Sequence, residues 1–191
     1  MLNQKGFKIW ATLERGKGME GYPWYEIMDG YEPLLQGDFV TSCPVVIPTT
    51  AIESERVSAD VIEYDVIIMS QSCDLAQRKL DLVLVCPIWP LNEFEKRSDF
   101  FKDKKGKEIL RRGNIPGYHL LNKCEIDGFI KDLLIVDFRT VYSVPFDFLL
   151  DLAIKRGRRL RLLPPYREHL SQAFARFFMR VGLPVDIPPF E

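Results

Sequence analysis

Two runs of apolar residues, separated by a short polar stretch, dominate the pattern along the chain. Residues 66–69 (VIIM) and 82–88 (LVLVCPI) are almost entirely apolar and rich in β-branched side chains. Runs of this length are too short for core helices and are typical of strands buried on both faces of a sheet. The sequence therefore predicts two neighbouring strands, with residues 66–69 as the central one. A further strand is expected over residues 39–46, where Pro44 indicates an edge, a bulge or the strand end.

Two more strands are predicted in the second half of the chain. Residues 118–122 (YHLLN) form a short candidate, and residues 133–144 (LLIVDFRTVYSV) form a long one. Because side chains alternate between the two faces of a strand, Asp137 and Arg139 are expected to point the same way. They would then pair with each other or reach a shared site.

The apolar positions take up a helical period towards the C-terminus. Residues 166–181 carry an apolar stripe that consists of Leu170, Ala173, Phe174, Phe177, Phe178 and Val181. We expect this amphipathic helix to pack its stripe against the sheet. A second helix is predicted over residues 146–154, with Gly157 as its end.

Three segments lack such a pattern. Residues 1–36 combine aromatic side chains with glycine and proline, and predict an irregular lead packed on the body of the protein. The alternative is a stacking platform for bases. Residues 48–60 predict a mobile polar loop, and residues 93–113 predict a basic insert with a short amphipathic helix before Gly106. These boundaries divide the chain into the lead and a single domain, 37–191.

Composition and charge narrow the class of protein. With 191 residues, of which 47% are hydrophobic, the chain is long enough to bury one core. The net charge is −1, so any contact with nucleic acid has to come from local patches. No apolar run is long enough to span a bilayer, and no secretory signal is recognisable. We therefore expect a cytoplasmic protein with no membrane among its partners.

The four cysteines, Cys43, Cys73, Cys86 and Cys124, are widely spaced and form no C-x-x-C pair. A structural zinc site needs ligand pairs that are close in sequence. The spacing therefore predicts no metal site, and nothing else in the chain indicates a cofactor. Free and mostly buried thiols are expected in a reducing compartment.

Small polar and reactive side chains follow the predicted central strand directly, in the order Ser70-Gln71-Ser72-Cys73-Asp74. Loops at strand ends often present catalytic residues on a rigid scaffold. In one interpretation the chain binds or cleaves RNA without a metal. Asp74 is then the base and Arg139 the cation on the phosphate, with His169 or Ser70 assisting.

Two other interpretations of the same stretch remain open. Cys73 could act as a nucleophile with His169 or His119 as its base, although a neighbouring aspartate disfavours a thiolate. Alternatively the stretch is a structural turn in a non-catalytic binding module, with Asp74 capping the turn and Cys73 buried.

Two basic clusters are candidate contacts for phosphates. Arg111 and Arg112 end the basic insert, and Arg156, Arg158 and Arg159 belong to the densest run of positive charge in the chain. Clusters of this kind bind the backbone of nucleic acids. The alternative is a solvated surface of mixed charge.

The order of these features resembles that of the MazF/PemK toxins. Gly37-Asp38 opens the first strand, and an apolar strand ends in polar residues at Ser70. Residues 85–88 (VCPI) close the next strand, and residues 136–141 (VDFRTV) precede the C-terminal helix. The resemblance implies a mainly β fold with α-helices, a small SH3-like β-barrel, here with the basic insert and the C-terminal amphipathic helix. It also implies a prokaryotic toxin–antitoxin or defence system and RNA cleavage without a metal.

The chain departs from that family at its catalytic positions. Tyr64-Asp65 stand where the family has Arg-Pro, and Trp89 stands where it has Ser or Thr. The family's Asp-Gln-x-Arg is reduced to residues 137–139 (DFR). We therefore expect an RNA-directed or regulatory protein, either a metal-independent endoribonuclease or a non-catalytic binding module. RNA, a protein partner or a second copy in a homodimer would be its partner, and a Cys73-dependent enzyme is the less favoured alternative.

Overall fold

The computed structural model describes residues 22–53, 56–97 and 99–179. The strands are β1 (Tyr25–Met28), β2 (Phe39–Glu53), β3 (Arg56–Ile68), β4 (Leu82–Pro90), β5 (Tyr118–Leu121), β6 (Leu134–Asp137), β7 (Tyr142–Pro145) and β8 (Arg159–Leu162). The helices are α1 (Ser72–Ala76), α2 (Leu91–Arg97), α3 (Asp99–Lys102), α4 (Lys104–Arg111), α5 (Phe146–Arg156) and α6 (Tyr166–Phe178). Across these described residues, no helix combines the length and the apolar character that crossing a bilayer requires.

An antiparallel sheet organises this mixed α/β fold. Its strands lie in the order β2-β3-β4-β6-β5, and β7 also pairs with β4. A second, two-stranded sheet consists of β1 and β8. The order of the described strands runs from β2 to β5 without returning, so the main sheet is not closed into a barrel.

The central strand was predicted correctly. β3 lies between β2 and β4, and Val66, Ile67 and Ile68 are completely buried. Val66 and Ile68 belong to the core shared with α5, whereas Ile67 and Met69 belong to the core shared with α6. Helices on both faces therefore explain why this run is continuously apolar. The strand β4 and the helix α5, which ends at Gly157, are also confirmed.

The prediction of a mobile loop over residues 48–60 is wrong. β2 and β3 instead continue as a long antiparallel ribbon, with Pro48 opposite Ala59. β4 pairs with β3 only near the base of this ribbon. Beyond that pairing, residues 58–63 of β3 are exposed on both faces, and Val46 and Val61 are each 65% exposed. A solvated ribbon is held by its backbone hydrogen bonds and needs no alternation of apolar side chains.

The long strand predicted over residues 133–144 is interrupted. β6 and β7 both pair with β4, but a turn separates them. The Asp137 carboxylate accepts a hydrogen bond from the backbone N–H of Arg139 at 3.0 Å, and Phe138 is completely buried. The chain therefore turns to place the Phe138 ring in the core beneath α6.

The described part of the basic insert contains three short helices. The region of the one helix expected before Gly106 forms α2 and α3, and a separate helix that was not predicted, α4, contains Gly106. A Cβ atom at Gly106 would lie 1.8 Å from the Phe100 carbonyl oxygen, so only glycine permits this approach of α4 to α3. Phe94, Phe101 and Leu110 form a small core that fixes the insert to the sheet at β6.

The C-terminal amphipathic helix α6 was predicted correctly. Leu170 is completely buried, and Phe174 and Phe177 pack against the same core. Phe178, also assigned to the stripe, is 61% exposed because it lies in the last turn of the helix. Val181 lies outside the described residues.

The described part of the predicted lead, residues 22–36, is not irregular throughout. β1 pairs antiparallel with β8, with Tyr25 opposite Leu162. Strand β8 was not predicted, because its two arginines look like surface residues. The other residues of the lead, 1–21, lie outside the part of the chain that the structure describes.

A buried ion-pair network explains β8. Asp38 is completely buried and accepts hydrogen bonds from Arg159 Nε at 2.8 Å and from Arg161 Nη2 at 2.8 Å. The remaining Arg159 donors bind backbone carbonyls of residues 29, 30, 32 and 33. Both arginines therefore tie the segment before β2 to β8.

Candidate functional site

The polar stretch after the central strand starts with structural contacts. Ser70 is buried, and its Oγ accepts a hydrogen bond from the backbone N–H of Leu84 at 2.8 Å. Ser72 Oγ accepts from the backbone N–H of Gln36 at 3.2 Å. These two hydroxyls connect the start of α1 to the neighbouring chain segments.

Cys73 is exposed, which differs from the burial expected for a structural turn. Its thiol donates to Asp74 Oδ1 at 3.8 Å. It lines an open cleft of about 420 Å³, shared with Gln36, Gln71, Ser72, Arg167, Glu168, Ser171 and Gln172. His169 and His119, the two bases suggested for this thiol, both line a different cleft. The structure therefore does not place Cys73 in one cleft with either base.

Asp137 and Arg139 pair, as their spacing predicts. Arg139 Nε lies 3.2 Å from Asp137 Oδ1, and Arg139 Nη2 lies 3.3 Å from Oδ2. The Arg139 guanidinium also covers the ring of Tyr118, 4.4 Å from its centroid. The Asp74 carboxylate accepts from the neighbouring Cys73 thiol, whereas Arg139 pairs with Asp137, so the base and the cation suggested for RNA cleavage are not paired with each other.

The second basic cluster is split between surface and interior. Arg156 and Arg158 are exposed; Arg156 donates to the Ser42 carbonyl at 3.1 Å, and Arg158 covers the Phe129 ring at 5.7 Å. Arg159 is buried, and its donors are taken up by Asp38 and backbone carbonyls. Its guanidinium is therefore directed into the protein and away from solvent.

A cleft next to the basic insert contains both histidines of the chain. It has a volume of about 280 Å³ and lies between the end of α4, the strand β5 and one side of α6. Its lining consists of Arg111, Arg112, Gly113, Ile115, Pro116, Tyr118, His119, His169, Ala173 and Arg176. We call it the histidine cleft.

Local structure fixes each wall of the histidine cleft. Helix α4 ends at a turn where Gly113 has φ of +69°, a left-handed conformation that favours glycine. His119 lies opposite Val136 in the β5–β6 ladder, and its ring stacks on Phe138 at 6.2 Å. His169 directly precedes the buried Leu170 on α6, so core packing sets its position on the rim.

The two histidines differ in environment. His169 is exposed, whereas His119 is mostly buried. Burial, with smaller contributions from His169 and Arg176, lowers the pKa of His119 from 6.5 to about 4. His119 is therefore neutral at pH 7.

The arginines give the cleft a positive charge. Glu108 forms ion pairs with Arg111 and Arg112, each at 2.7 Å, and these hydrogen bonds lower the pKa of Glu108 to about 2. Arg176 on the opposite wall is exposed, and its Nε donates to the Gln172 carbonyl at 3.4 Å. Two guanidinium groups share one carboxylate, so positive charge remains in excess.

Sequence reasoning named several of these residues but not their convergence. Arg111 and Arg112 were assigned to a phosphate contact, and His169 to a site near Asp74. Arg176, on the opposite wall, was not among the residues that the sequence assigned to a site. The one available signal was that the chain has only two histidines.

The arrangement in the histidine cleft suits an anionic ligand that undergoes proton transfer. Guanidinium groups bind phosphate oxygens, and imidazole is the commonest group for general acid–base catalysis. Within the described part of the chain, no three histidine, cysteine or carboxylate side chains gather as a metal site would require.

Comparison with known proteins identifies no relative. No protein-family model matches the chain. No curated protein matches it significantly either. The function is therefore argued from the cleft itself.

Proposed function

We propose that the protein binds single-stranded RNA in the histidine cleft and cleaves it without a metal. One observation carries this proposal: both histidines of the chain meet three arginines in one cleft. The arginines would bind the phosphate of the backbone, because guanidinium forms charge-assisted hydrogen bonds with phosphate oxygens. The histidines would move the protons.

RNA fits this set of residues better than DNA does. Metal-free cleavage needs a nucleophile, a base, an acid and cations on the phosphate. In RNA the 2′-hydroxyl supplies the nucleophile, so the protein needs only the other groups. DNA lacks this hydroxyl.

The roles of the two histidines follow from their environments. His119 is neutral at pH 7 and would accept the proton of the 2′-hydroxyl as its oxygen bonds to phosphorus. The bond from phosphorus to the 5′-oxygen then breaks, and His169 on the rim would act as the acid that gives a proton to that oxygen. The products are a 2′,3′-cyclic phosphate and a 5′-hydroxyl end. A bound phosphate would raise the proton affinity of His119, because it offsets the charge of Arg176.

Incubation of a single-stranded RNA oligonucleotide with the protein in EDTA tests this proposal. We expect cleavage with cyclic-phosphate ends, and no cleavage of an oligonucleotide whose only change is a 2′-deoxy nucleotide at the cut site. His119→Gln and His169→Gln should each lower the rate at least a hundredfold, as the loss of an acid or base does. Arg78→Gln, which changes an exposed arginine outside the cleft, is the matched control and should leave the rate unchanged.

Two outcomes separate the proposal from its alternative. A pKa of about 4 makes His119 a weak base in the free protein, and this observation favours binding without cleavage as the second candidate function. RNA binding that is lost in Arg176→Gln, with no cleavage product, would support that candidate. Absence of both binding and cleavage would refute the RNA proposal as a whole.

We also propose that the protein acts in a toxin–antitoxin or defence system, as its resemblance to the MazF/PemK toxins implies. The antiparallel sheet supports it, as does its curvature: Val46 of β2 and Ser143 of β7 line one common groove, as in a sheet that curls towards an SH3-like barrel. A nuclease of a toxin–antitoxin or defence system should arrest growth when expressed in bacteria, and His169→Gln should restore growth. If wild type and His169→Gln arrest growth equally, the histidine cleft is not the cause of the arrest.

A further inference from the structure

A rigid, exposed guanidinium lies next to the histidine cleft. Tyr118 is part of the cleft wall, and the Arg139 guanidinium covers its ring at 4.4 Å from the centroid. The Arg139 side chain is 58% exposed. The side chain that lies over the Tyr118 ring is therefore still accessible to solvent.

Several contacts hold this guanidinium in place. Two hydrogen bonds to the mostly buried Asp137 carboxylate, at 3.2 and 3.3 Å, use Nε and Nη2. A Cβ atom at Gly117 would lie 3.0 Å from Arg139 Cγ, so the aliphatic part of the side chain packs directly on the backbone of the cleft wall.

The aromatic ring beneath Arg139 is itself supported. Phe94 and Phe101 are buried and meet the Tyr118 ring edge-on, with centroids 5.1 and 5.7 Å away. The pair Arg139–Tyr118 is therefore a supported layer that carries an exposed cationic group. We call this layer the arginine platform.

We propose that the arginine platform stacks one unpaired nucleobase of the RNA whose phosphate lies in the histidine cleft. This inference rests on the proposed function and adds the subsite for the neighbouring nucleotide. Proteins that recognise single-stranded RNA stack splayed-out bases on aromatic rings and on arginine planes. An immobilised guanidinium loses little conformational entropy on binding, which favours this use of Arg139. Stacking tolerates every base, so the platform selects for single strands and not for sequence.

Binding of a non-cleavable RNA by the full chain tests the platform. The probe is a fluorescent single-stranded 2′-O-methyl oligonucleotide of six nucleotides, together with versions in which one base at a time is removed. In the wild-type protein one abasic position should weaken binding about tenfold, the usual worth of one stacked base. Arg139→Lys keeps the positive charge but loses the plane, so it should weaken binding of the intact oligonucleotide by the same factor. It should not weaken binding of the oligonucleotide that lacks that base.

The outcomes distinguish the platform from the cleft. If Arg139→Lys lowers affinity for all the oligonucleotides equally, or for none, the stacking role is refuted. If the stacking role is refuted but Arg176→Gln still weakens binding, the proposal for the histidine cleft stands. If the wild-type protein does not bind at all, both proposals fail. Arg78→Lys is the matched control, because Arg78 also covers a ring, that of Phe146, on another part of the protein. It should change none of the affinities.

Discussion

Replacement of His119 by glutamine should remove a pH dependence of stability. Burial, helped by His169 and Arg176, lowers the pKa of His119 from 6.5 to about 4 in the folded protein. The unfolded chain therefore binds this proton more tightly than the folded protein does. As the pH falls from above 6.5 towards 4, protonation favours the unfolded state, so His119 makes stability rise with pH across this window.

The size of the effect follows from the two pKa values. Each pKa unit between them is worth about 1.4 kcal/mol, so the full window is worth roughly 3 kcal/mol. Between pH 7.5 and about pH 5, where few carboxylates titrate, wild-type protein should lose about 2 kcal/mol through His119 alone. Glutamine keeps polar hydrogen-bonding groups but does not titrate, so His119→Gln should not show this loss.

Urea unfolding of both proteins at the two pH values measures this difference. The free energy of unfolding of His119→Gln, relative to wild type, should increase by about 2 kcal/mol at the lower pH. His169→Gln is the control and should retain most of the wild-type loss, because burial is the largest cause of the low pKa of His119. If the difference in free energy of unfolding between His119→Gln and wild type is the same at both pH values, His119 is solvated and the description of the cleft is wrong.

Three further predictions concern stability and reactivity. Asp38→Asn should lower the free energy of unfolding by about 3–5 kcal/mol, since it leaves buried arginines without their counter-charge; Asp147→Asn, which breaks an exposed ion pair with an arginine, should cost at most about 1 kcal/mol. Leu170→Ala should cost about 2–5 kcal/mol, and a melting temperature equal to that of wild type would mean that α6 does not pack on the sheet. In native protein, iodoacetamide should modify the exposed Cys73 but not Cys86, whose pKa is raised to about 12 by burial; mass spectrometry that finds the reverse order would contradict the packing of β4.

The central part of the fold could be predicted because its sequence pattern has one physical cause. Residues 66–69 and 82–88 are continuously apolar, and the strands they form are covered by α5 on one side and by α6 on the other. Helix α6 was predictable for a similar reason, since the apolar positions around Leu170 repeat with the helical period.

Other parts of the fold depend on contacts that no local pattern reports. Residues 58–63 of the β2–β3 ribbon are exposed on both faces, so this stretch resembles a polar loop in sequence. Strand β8 carries Arg159 and Arg161, which look exposed until Asp38, far away in the chain, is known to lie between them. The break between β6 and β7 depends on the way that Asp137 bonds the backbone of Arg139.

The candidate site was predictable in its residue types and not in its assembly. The spacing of Asp137 and Arg139 predicted their pairing, because it needs only local geometry. The histidine cleft joins the end of α4 and β5 to α6, segments about fifty residues apart in the sequence, and only the packing of α6 brings His119 near His169. Sequence reasoning had placed His169 beside Cys73 or Asp74 because those residues follow the central strand.

The most direct test of the cleft as an RNA site observes the two histidines themselves. The chain has only His119 and His169, so a protein labelled with ¹³C and ¹⁵N in histidine gives two sets of ring signals in an NMR spectrum. We expect both sets to shift along one binding curve as the 2′-O-methyl oligonucleotide is added, and not to shift in Arg176→Gln over the same range of concentration. If fluorescence anisotropy shows binding while neither histidine signal moves, the RNA binds elsewhere and the central claim is contradicted.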